Sequence, residues 1–223
     1  ISHFEESFAC SLMAEYCERK KIKYIGVMHG ERLYTLKTAF FRCTEYYAWD
    51  QDYVNLLYSM RCERSQFRIE VPNALLQPEY NGKKDKEYDY TIYLQEESDE
   101  SIAALQKVCE KMTSHGLRVA VRPHPRFSRR SFEKYFHGVE IQGSQDIMLA
   151  ESFSRTKAVI ARFSTVLYQA WYIGIPIVID DYTLPGQLER LRDLRYVMLD
   201  KPHELLSDVI RALDLEKANG DGK

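Results

Sequence analysis

The sequence VIARFSTVLYQAWYIGIPIVIDD, from Val159 to Asp181, contains the clearest indication of the fold class. It begins with a short apolar run, passes through the turn RFST (162–165) and continues as a helical repeat up to Ile173. A second apolar run, at 175–179, follows after one glycine. A strand, a helix and a strand in this order are the unit from which parallel sheets are built.

The same alternation extends in both directions from this stretch. It predicts strands at 90–94, 117–121, 139–142, 158–161, 175–179 and 196–199, and helices at 98–114, 146–154, 165–173 and 202–213. Several of these strands are unbroken apolar runs, which is typical of a parallel sheet covered on both faces. We therefore predict an α/β fold with a Rossmann-like, mostly parallel sheet domain at 89–215.

A smaller α/β lobe is predicted before this domain, at residues 1–77. Its expected elements are a helix that begins near Phe4, strands at 23–28, 45–49 and 67–71, and a helix at 51–60. The polar stretch PEYNGKKDKE lacks an apolar period, so we expect a linker at 78–88. The residues at 216–223 are expected to form a disordered tail. Because a helical pattern starts at once after Ile1, we also expect the first lobe to be incomplete.

Composition excludes several classes of protein. The net charge of −2 comes from scattered residues, which is unlike the basic stripe of a nucleic-acid-binding protein. The five cysteines are odd in number and lack metal-ligand spacing, so we expect no disulfide framework, no metal site and a reducing cytoplasm. No apolar run approaches the roughly 20 residues that a membrane span needs, and we expect no secretory leader.

The first candidate for chemistry is the loop RPHPR, which directly follows the apolar strand at 117–121. Its two prolines stiffen the turn around His124, and Arg122 and Arg126 supply guanidinium groups suited to phosphate or carboxylate. The alternative interpretation is a rigid, solvated basic loop.

The second candidate is the turn that contains Arg162, Ser164 and Thr165, between a strand and a helix. A hydroxyl here caps the helix, which is its simplest role and contributes about 1 kcal/mol. The same position combines free backbone N–H groups with the positive end of the helix dipole, and so also favours an anion. Both candidate turns follow core strands of one sheet, and both are expected to reach the same anion.

Taken together, these two turns resemble the HP and serine motifs of bacterial GT-B glycosyltransferases. The similar families are the sialyltransferases and polysialyltransferases, the capsule Kdo transferases and the teichoic-acid glycerophosphate polymerases. The resemblance covers most of the chain after the linker, and it implies that His124, Ser164 and Thr165 contact the nucleotide phosphates or help the nucleotide to leave. The sequence departs from the motif in having Ser-Thr in place of Ser-Ser, and Arg162 beside it, which leaves the donor open.

The third candidate is the turn His29-Gly30-Glu31, which follows the first predicted strand. It resembles the His-Gly turn of the polymerases, which implies a catalytic base at His29, whereas in the sialyltransferases the base is acidic. Either His29 or Glu31 has chemistry suited to taking a proton from a hydroxyl. A glycine turn with an incidental histidine is the alternative.

Two further pairs lie at predicted strand ends. Gln95 and Glu96 follow the strand at 90–94 and are candidates to contact the base or ribose of a nucleotide. Asp180 and Asp181 end another strand, where acidic residues also commonly begin a turn.

We therefore expect a metal-independent enzyme without a cofactor, which transfers a sugar from a cytidine nucleotide to a glycan or glycolipid. CMP-sialic acid and CMP-Kdo are the preferred donors, in capsule or lipopolysaccharide synthesis at the cytoplasmic side of the inner membrane, where peripheral attachment stays open. The alternatives are a CDP-glycerol or CDP-polyol phosphotransferase of the teichoic-acid type and a non-catalytic module that binds a nucleotide or phosphate.

Overall fold

The chain divides into two compact units in a computed structural model, which describes residues 8–35, 42–60, 64–77, 79–128, 132 and 134–220. The first unit comprises residues 1–76 together with 188–201, and the second comprises 77–187 together with 202–223. Each unit is built on a parallel sheet of its own. The expected start of the first helix at Phe4 lies outside the described residues.

Strands and helices alternate along most of the chain. The strands are β1 (Ile25–Val27), β2 (Glu45–Ala48), β3 (Phe67–Ile69), β4 (Tyr88–Tyr93), β5 (Val119–Arg122), β6 (Glu140–Ile141), β7 (Thr156–Ala161), β8 (Ile177–Ile179) and β9 (Glu204–Leu205). The α-helices are α1 (Phe8–Arg19), α2 (Gln51–Tyr58), α3 (Asp99–Ser114), α4 (Leu149–Arg155), α5 (Thr165–Tyr172), α6 (Gln187–Asp193) and α7 (Leu206–Gly220). Short 3-10 helices are described at Arg64–Gln66, Asn73–Leu75 and Val197–Asp200.

The first unit contains a three-stranded parallel sheet in the order β1-β2-β3. Its core is aromatic, and Tyr46, Trp49 and Tyr53 are almost completely buried. The indole N–H of Trp49 donates to the carbonyl oxygen of Met28 at 3.0 Å, which satisfies the polar atom of that side chain. Asp50 begins α2 by accepting from the backbone N–H groups of the first turn, which fixes the start of the helix.

The second unit contains a six-stranded parallel sheet in the order β6-β5-β4-β7-β8-β9. Its central strands are buried on both faces, as the unbroken apolar runs predict. The order is that of the Rossmann fold, in which the chain winds outward in one direction and then in the other. The expected α/β fold with a Rossmann-like parallel sheet domain is therefore confirmed.

One predicted strand is wrong. The run at 196–199 forms the 3-10 helix Val197–Asp200, although Tyr196, Val197 and Met198 are buried as an apolar strand would be. The preceding helix α6 was not predicted; it ends at Asp193, and two residues later Arg195 adopts a positive φ of 50°. The backbone N–H of Tyr196 then donates to the carbonyl of Leu191, so local bonds replace a sheet ladder.

The limits of the second unit also differ from the prediction. Residues 188–201 belong to the first unit, although the predicted sheet domain ran unbroken to 215. The expected linker is attached to the second unit, since the backbone N–H of Asn81 donates to Ser154 Oγ and that of Glu87 to the Arg155 carbonyl, both at 2.8 Å. Helix α7 continues to Gly220, so the expected tail at 216–223 is helical up to that residue, and 221–223 lie outside the described residues.

None of the helices that the structure describes is long and apolar enough to cross a membrane.

Candidate functional site

The candidate site lies where the order of strands reverses in the second unit. From β4 the chain moves outward through β5 and β6, and it then returns to β7 on the other side of β4. Two loops therefore separate at the carboxyl ends of β4 and β7, and ligands of open α/β sheets bind in the crevice between such loops. Gln95 follows β4 and Ser164 follows β7.

Ser164 joins the two loops. It is the residue before α5, is only 4% exposed, and its Oγ accepts from the backbone N–H of Val166 at 3.2 Å. Gln95 Nε2 donates to the same oxygen at 2.6 Å. The hydroxyl therefore caps α5 and fixes the loop after β4 to the loop after β7. Thr165 is the first residue of α5 and is half-buried beside it.

The Gln95 backbone is held from both sides. Its N–H donates to both carboxylate oxygens of Glu97, at 2.7 and 2.8 Å, and its carbonyl accepts from Ser128 Oγ at 3.2 Å. Glu97 is 7% exposed, and its burial raises the pKa of the carboxyl group. These bonds orient the Gln95 side chain toward Ser164 before any ligand is present.

His124 is fixed as one tautomer. Its Nδ1 accepts from the backbone N–H groups of Arg126, at 3.0 Å, and Phe127, at 3.2 Å, so the ring proton of the neutral form lies on Nε2. Burial, with a contribution from the Arg126 charge, lowers the pKa of His124, which favours this neutral form. His124 N–H also donates to Ser128 Oγ at 2.7 Å, which links the HP turn to the loop after β4.

The three arginines have different surroundings. Arg122 is 7% exposed, its Nη2 donates to the Ile147 carbonyl at 2.7 Å, and desolvation lowers its pKa. Arg126 is exposed on the HP turn. Arg162 Nη2 donates to Thr183 Oγ1 at 2.9 Å and lies 3.5 Å from Asp180 Oδ2. Of the three, Arg126 is the one whose charge faces solvent.

Both acids at the end of β8 have structural partners. Asp180 is 2% exposed and accepts from the backbone N–H groups of Tyr182 and Thr183. Asp181 accepts from the N–H of Ser207 at 2.9 Å and from its hydroxyl at 2.7 Å, at the start of α7. These contacts explain the two residues as turn-forming and capping groups.

A cleft of about 300 Å³ opens beside the Gln95–Ser164 bond. Its walls come from the loops after β4, β5 and β7, and the lining residues are Gln95, Glu96, Glu97, Phe127, Arg162 and Phe163. Sequence reasoning missed Glu97 and Phe127. The available signal in the sequence was an aromatic residue, Phe127, within an otherwise polar turn. In the structure Phe127 is 53% exposed and stacks on His124 at 4.5 Å between ring centroids.

The third candidate turn belongs to the first unit. Glu31 Oε2 accepts from the Tyr53 hydroxyl at 2.5 Å, while Oε1 is buried without a hydrogen-bond partner. Burial raises the pKa of Glu31 to about 8, and the nearby carboxylate of Asp50 acts in the same direction. His29 is exposed, and its Nδ1 lies 3.4 Å from Arg32 Nη2. A protonated Glu31 is a poor base at neutral pH, whereas His29 is open to solvent.

In the part of the chain that the structure describes, no three histidine, cysteine or acidic side chains are grouped as metal ligands would be.

Similarity to known proteins is found in structure alone. No family model matches the sequence, and no curated protein matches it. The Methanocaldococcus jannaschii UDP-GlcNAc 2-epimerase, solved with UDP-GlcNAc and UDP, superposes with a TM-score of 0.56 at 12% identity, over 92% of this chain and 72% of the other. The wall teichoic acid polymerase TagF gives 0.52 at 14% identity, over 86% and 58%. The Neisseria meningitidis UDP-GlcNAc 2-epimerase gives 0.52 at 11% identity, over 79% and 58%.

These likenesses concern the fold. The chain spans 58% of the length of TagF and of the Neisseria enzyme. At 11 to 14% identity, the shared feature is the arrangement of strands and helices. The chain has the α/β fold of the GT-B type, in which the motif resemblance had placed it.

Proposed function

We propose that the second unit binds the nucleotide of an activated sugar donor and that the chain is a glycosyltransferase. The observation that carries this proposal is the 2.6 Å hydrogen bond from Gln95 to Ser164, which joins the ends of β4 and β7 where the strand order reverses. Such a switch point is where ligands of open α/β sheets bind. The orienting bonds to Gln95 and Ser164 support a site organised before a ligand arrives.

The donor phosphates are assigned to the amino end of α5 and to the HP turn. The helix dipole favours negative charge beside Ser164 and Thr165. His124 offers its Nε2–H, because Nδ1 is already occupied by two backbone donors. Arg126 adds a solvent-facing positive charge on the same turn. A departing phosphate gains negative charge, which these groups stabilise without a metal ion.

For the acceptor, His29 is the better candidate base of the two in its turn. Its ring is exposed, whereas Glu31 has a buried oxygen and a pKa raised to about 8 by burial. Imidazole titrates near neutrality and can take a proton from a hydroxyl group. We therefore assign proton removal to His29, with a glycan or glycolipid as the acceptor.

The nucleotide in this proposal is cytidine, as the motif resemblance implies, and the transferred group is a sialic acid or Kdo, with CMP as the leaving group. In the phosphotransferase alternative the donor is a CDP-polyol, the transferred group is the polyol phosphate, and CMP again leaves. Uridine is the main competitor, since the M. jannaschii epimerase was solved with UDP-GlcNAc and UDP. A non-catalytic nucleotide-binding module would use the same phosphate site but would not depend on His29 for any reaction.

The test is calorimetric titration of the chain with CMP, CDP and UDP. We expect micromolar binding of a cytidine nucleotide, weakened about tenfold by His124→Ala and by Ser164→Ala, since each removes one hydrogen-bonding group from a charged ligand. The controls are His137→Ala, at an exposed histidine, and Ser114→Ala, at the last residue of α3, whereas the loop of Gln95 precedes the first residue of that helix. Both variants are expected to bind nucleotide like the native chain.

Each outcome separates the candidate functions. Absence of nucleotide binding, or binding that both site variants leave unchanged, rejects this donor site. Tight binding of UDP with weak binding of CDP rejects cytidine. If binding is confirmed, sugar transfer that is lost in His29→Ala while donor affinity is kept supports an enzyme over a binding module, and transfer abolished by a chelator contradicts the metal-independent mechanism.

A further inference from the structure

The cleft beside Gln95 is small and has aromatic walls. Its volume of about 300 Å³ is at the lower end of ligand pockets, which is room for one part of a nucleotide donor. Phe127 and Phe163 come from the loops after β5 and β7, and both rings line the cleft. Aromatic faces pack against the C–H groups of flat, partly apolar ligands, so the walls fit a sugar-sized group.

The polar lining of the cleft is acidic. Glu96 is exposed and Glu97 is buried, and both lie on the loop after β4. The single cation in the lining is Arg162, whose guanidinium lies 3.5 Å from Asp180 Oδ2 and donates to Thr183. Two carboxylates thus line the cleft beside one guanidinium, and Asp180, which lies outside the lining, already compensates the charge of that guanidinium.

Carboxylates are acceptors only, so they bind O–H and N–H donors, and the ribose and polyol parts of a donor supply O–H groups. Both oxygens of Glu97 accept from the Gln95 N–H, and each retains capacity for a further donor. An anionic group would be repelled by the same carboxylates. The excess of acceptors therefore favours a neutral group with hydroxyl donors over an anionic group.

We infer that this cleft binds a neutral, hydroxyl-bearing part of the donor, with the carboxylates of Glu96 and Glu97 as acceptors and the rings of Phe127 and Phe163 as walls. This inference rests on the proposed nucleotide site and adds a preference of that site for uncharged over anionic parts of the donor. A carboxylate-bearing sugar such as sialic acid or Kdo does not fit the cleft, whereas a ribose or an uncharged polyol does. Among the donors left open above, it favours a CDP-polyol, whose polyol part is uncharged, and with it the phosphotransferase alternative, in which the polyol phosphate is transferred and CMP leaves.

Two sources could supply such a group, and the experiment separates them. Titration of the native chain compares CDP with CDP-glycerol, which adds an uncharged polyol, and CDP with 2′,3′-dideoxy-CDP, which lacks the ribose hydroxyls. We expect the dissociation constants to differ by about fivefold within one of the two pairs, with the compound that carries the additional hydroxyl groups binding more tightly. A difference in the first pair assigns the cleft to the transferred group, and a difference in the second assigns it to the ribose.

The variants Glu97→Gln and Glu96→Gln test the origin of that difference. We expect each to reduce it to twofold or less, while Glu151→Gln, at an acid on α4 outside the cleft lining, leaves it intact. Because Glu97 is buried, its variant is first checked for folding, and the exposed Glu96 provides an independent readout.

Three results overturn the inference. In the first, CDP binding depends on Ser164, but the hydroxyl groups of CDP-glycerol and of the CDP ribose add no affinity that Glu96 or Glu97 supplies. This result leaves the proposed function standing. In the second, CMP-sialic acid binds more tightly than CMP, and Phe127→Ala abolishes this difference in affinity. The third is a complete lack of nucleotide binding, which rejects the proposed function together with the selectivity built on it.

Discussion

Glu31 gives the first unit a measurable dependence of stability on pH. Its pKa is raised from 4.5 to about 8, mainly because burial disfavours the charged form. Between these values the unfolded chain loses a proton that the folded chain keeps. The free energy of unfolding therefore falls as pH rises from about 4.5 to 8, and this contribution is constant below 4.5.

The substitution Glu31→Gln removes this dependence. Glutamine keeps an oxygen that can accept from the Tyr53 hydroxyl, but it does not ionise. A difference of about 3.5 between the two pKa values corresponds to roughly 5 kcal/mol as an upper limit, which water penetration reduces. We expect the variant and the native chain to have similar stability at pH 4.5, and the variant to be more stable by about 2 to 4 kcal/mol at pH 8.

Urea unfolding at several pH values measures this difference, with the fluorescence of the buried Trp49 as a signal from the first unit. Glu15→Gln, at an exposed residue of α1 paired with Arg19, is the matched control and should change little with pH. A difference in stability between Glu31→Gln and the native chain that stays constant from pH 4.5 to 8 would show that Glu31 does not ionise in this range with different pKa values in the folded and unfolded states. A native chain that is the more stable of the two at pH 8 would also contradict the raised pKa of Glu31.

Three other substitutions test the packing around the site and in the first unit, and urea unfolding measures each. Ser164→Ala is expected to destabilise the second unit by about 1 to 2 kcal/mol, because a helix cap and the partner of a neighbouring amide are both lost, whereas equal stability would contradict the cap. Asp180→Ala is expected to cost about 2 to 4 kcal/mol, since it removes the charge that pairs with Arg162 and the acceptor of two backbone N–H groups, and a cost below 0.5 kcal/mol would contradict that role. Gly26→Ala places a methyl group 2.6 Å from a Tyr46 ring carbon, so we expect a loss of about 1 to 3 kcal/mol, and a neutral result would show that the ring can move aside.

The second unit was largely predictable because its strands are buried on both faces. Buried parallel strands read as unbroken apolar runs, and the runs that became β4, β5, β7 and β8 were each recognised to within a few residues. The location of the candidate turns at strand ends followed from the same alternation. The order of strands, which places Gln95 beside Ser164, depends on pairing between distant segments and has no local signal.

The segment at 187–201 shows where sequence patterns fail. Helix α6 has the sequence QLERLRD, which is short and mostly charged, so its apolar period is too weak to recognise. The β-prone run after it forms a 3-10 helix. Burial of Tyr196 and Met198 stabilises the fold whether the backbone is extended or helical, so the apolar pattern does not distinguish the two conformations. Its place in the first unit rests on contacts distant in sequence.

The sequence predicted which types of residue lie at the candidate site, but not the structural role of each side chain. Arg122 and Arg126 look equivalent in the motif, yet one is buried against the Ile147 carbonyl and the other is exposed. The tautomer of His124 depends on two backbone N–H groups in its own turn, and their positions follow from the folded loop rather than from residue types. Glu97 was missed because nothing in the sequence distinguishes it from the neighbouring acids Glu96, Asp99 and Glu100, whereas its bonds to the Gln95 N–H depend on the conformation of the loop.

The most direct test of the donor site is the set of backbone amide shifts in the NMR spectrum of the labelled chain as CDP is added. We expect shifts concentrated at 95–97, at 122–128 and at 162–166, in the three loops that surround the cleft. A second groove of about 440 Å³, lined by residues that include Trp171, Ile177 and His203, provides the contrast. Shifts confined to that groove, or no shifts at millimolar CDP, would contradict a nucleotide site at the ends of β4 and β7.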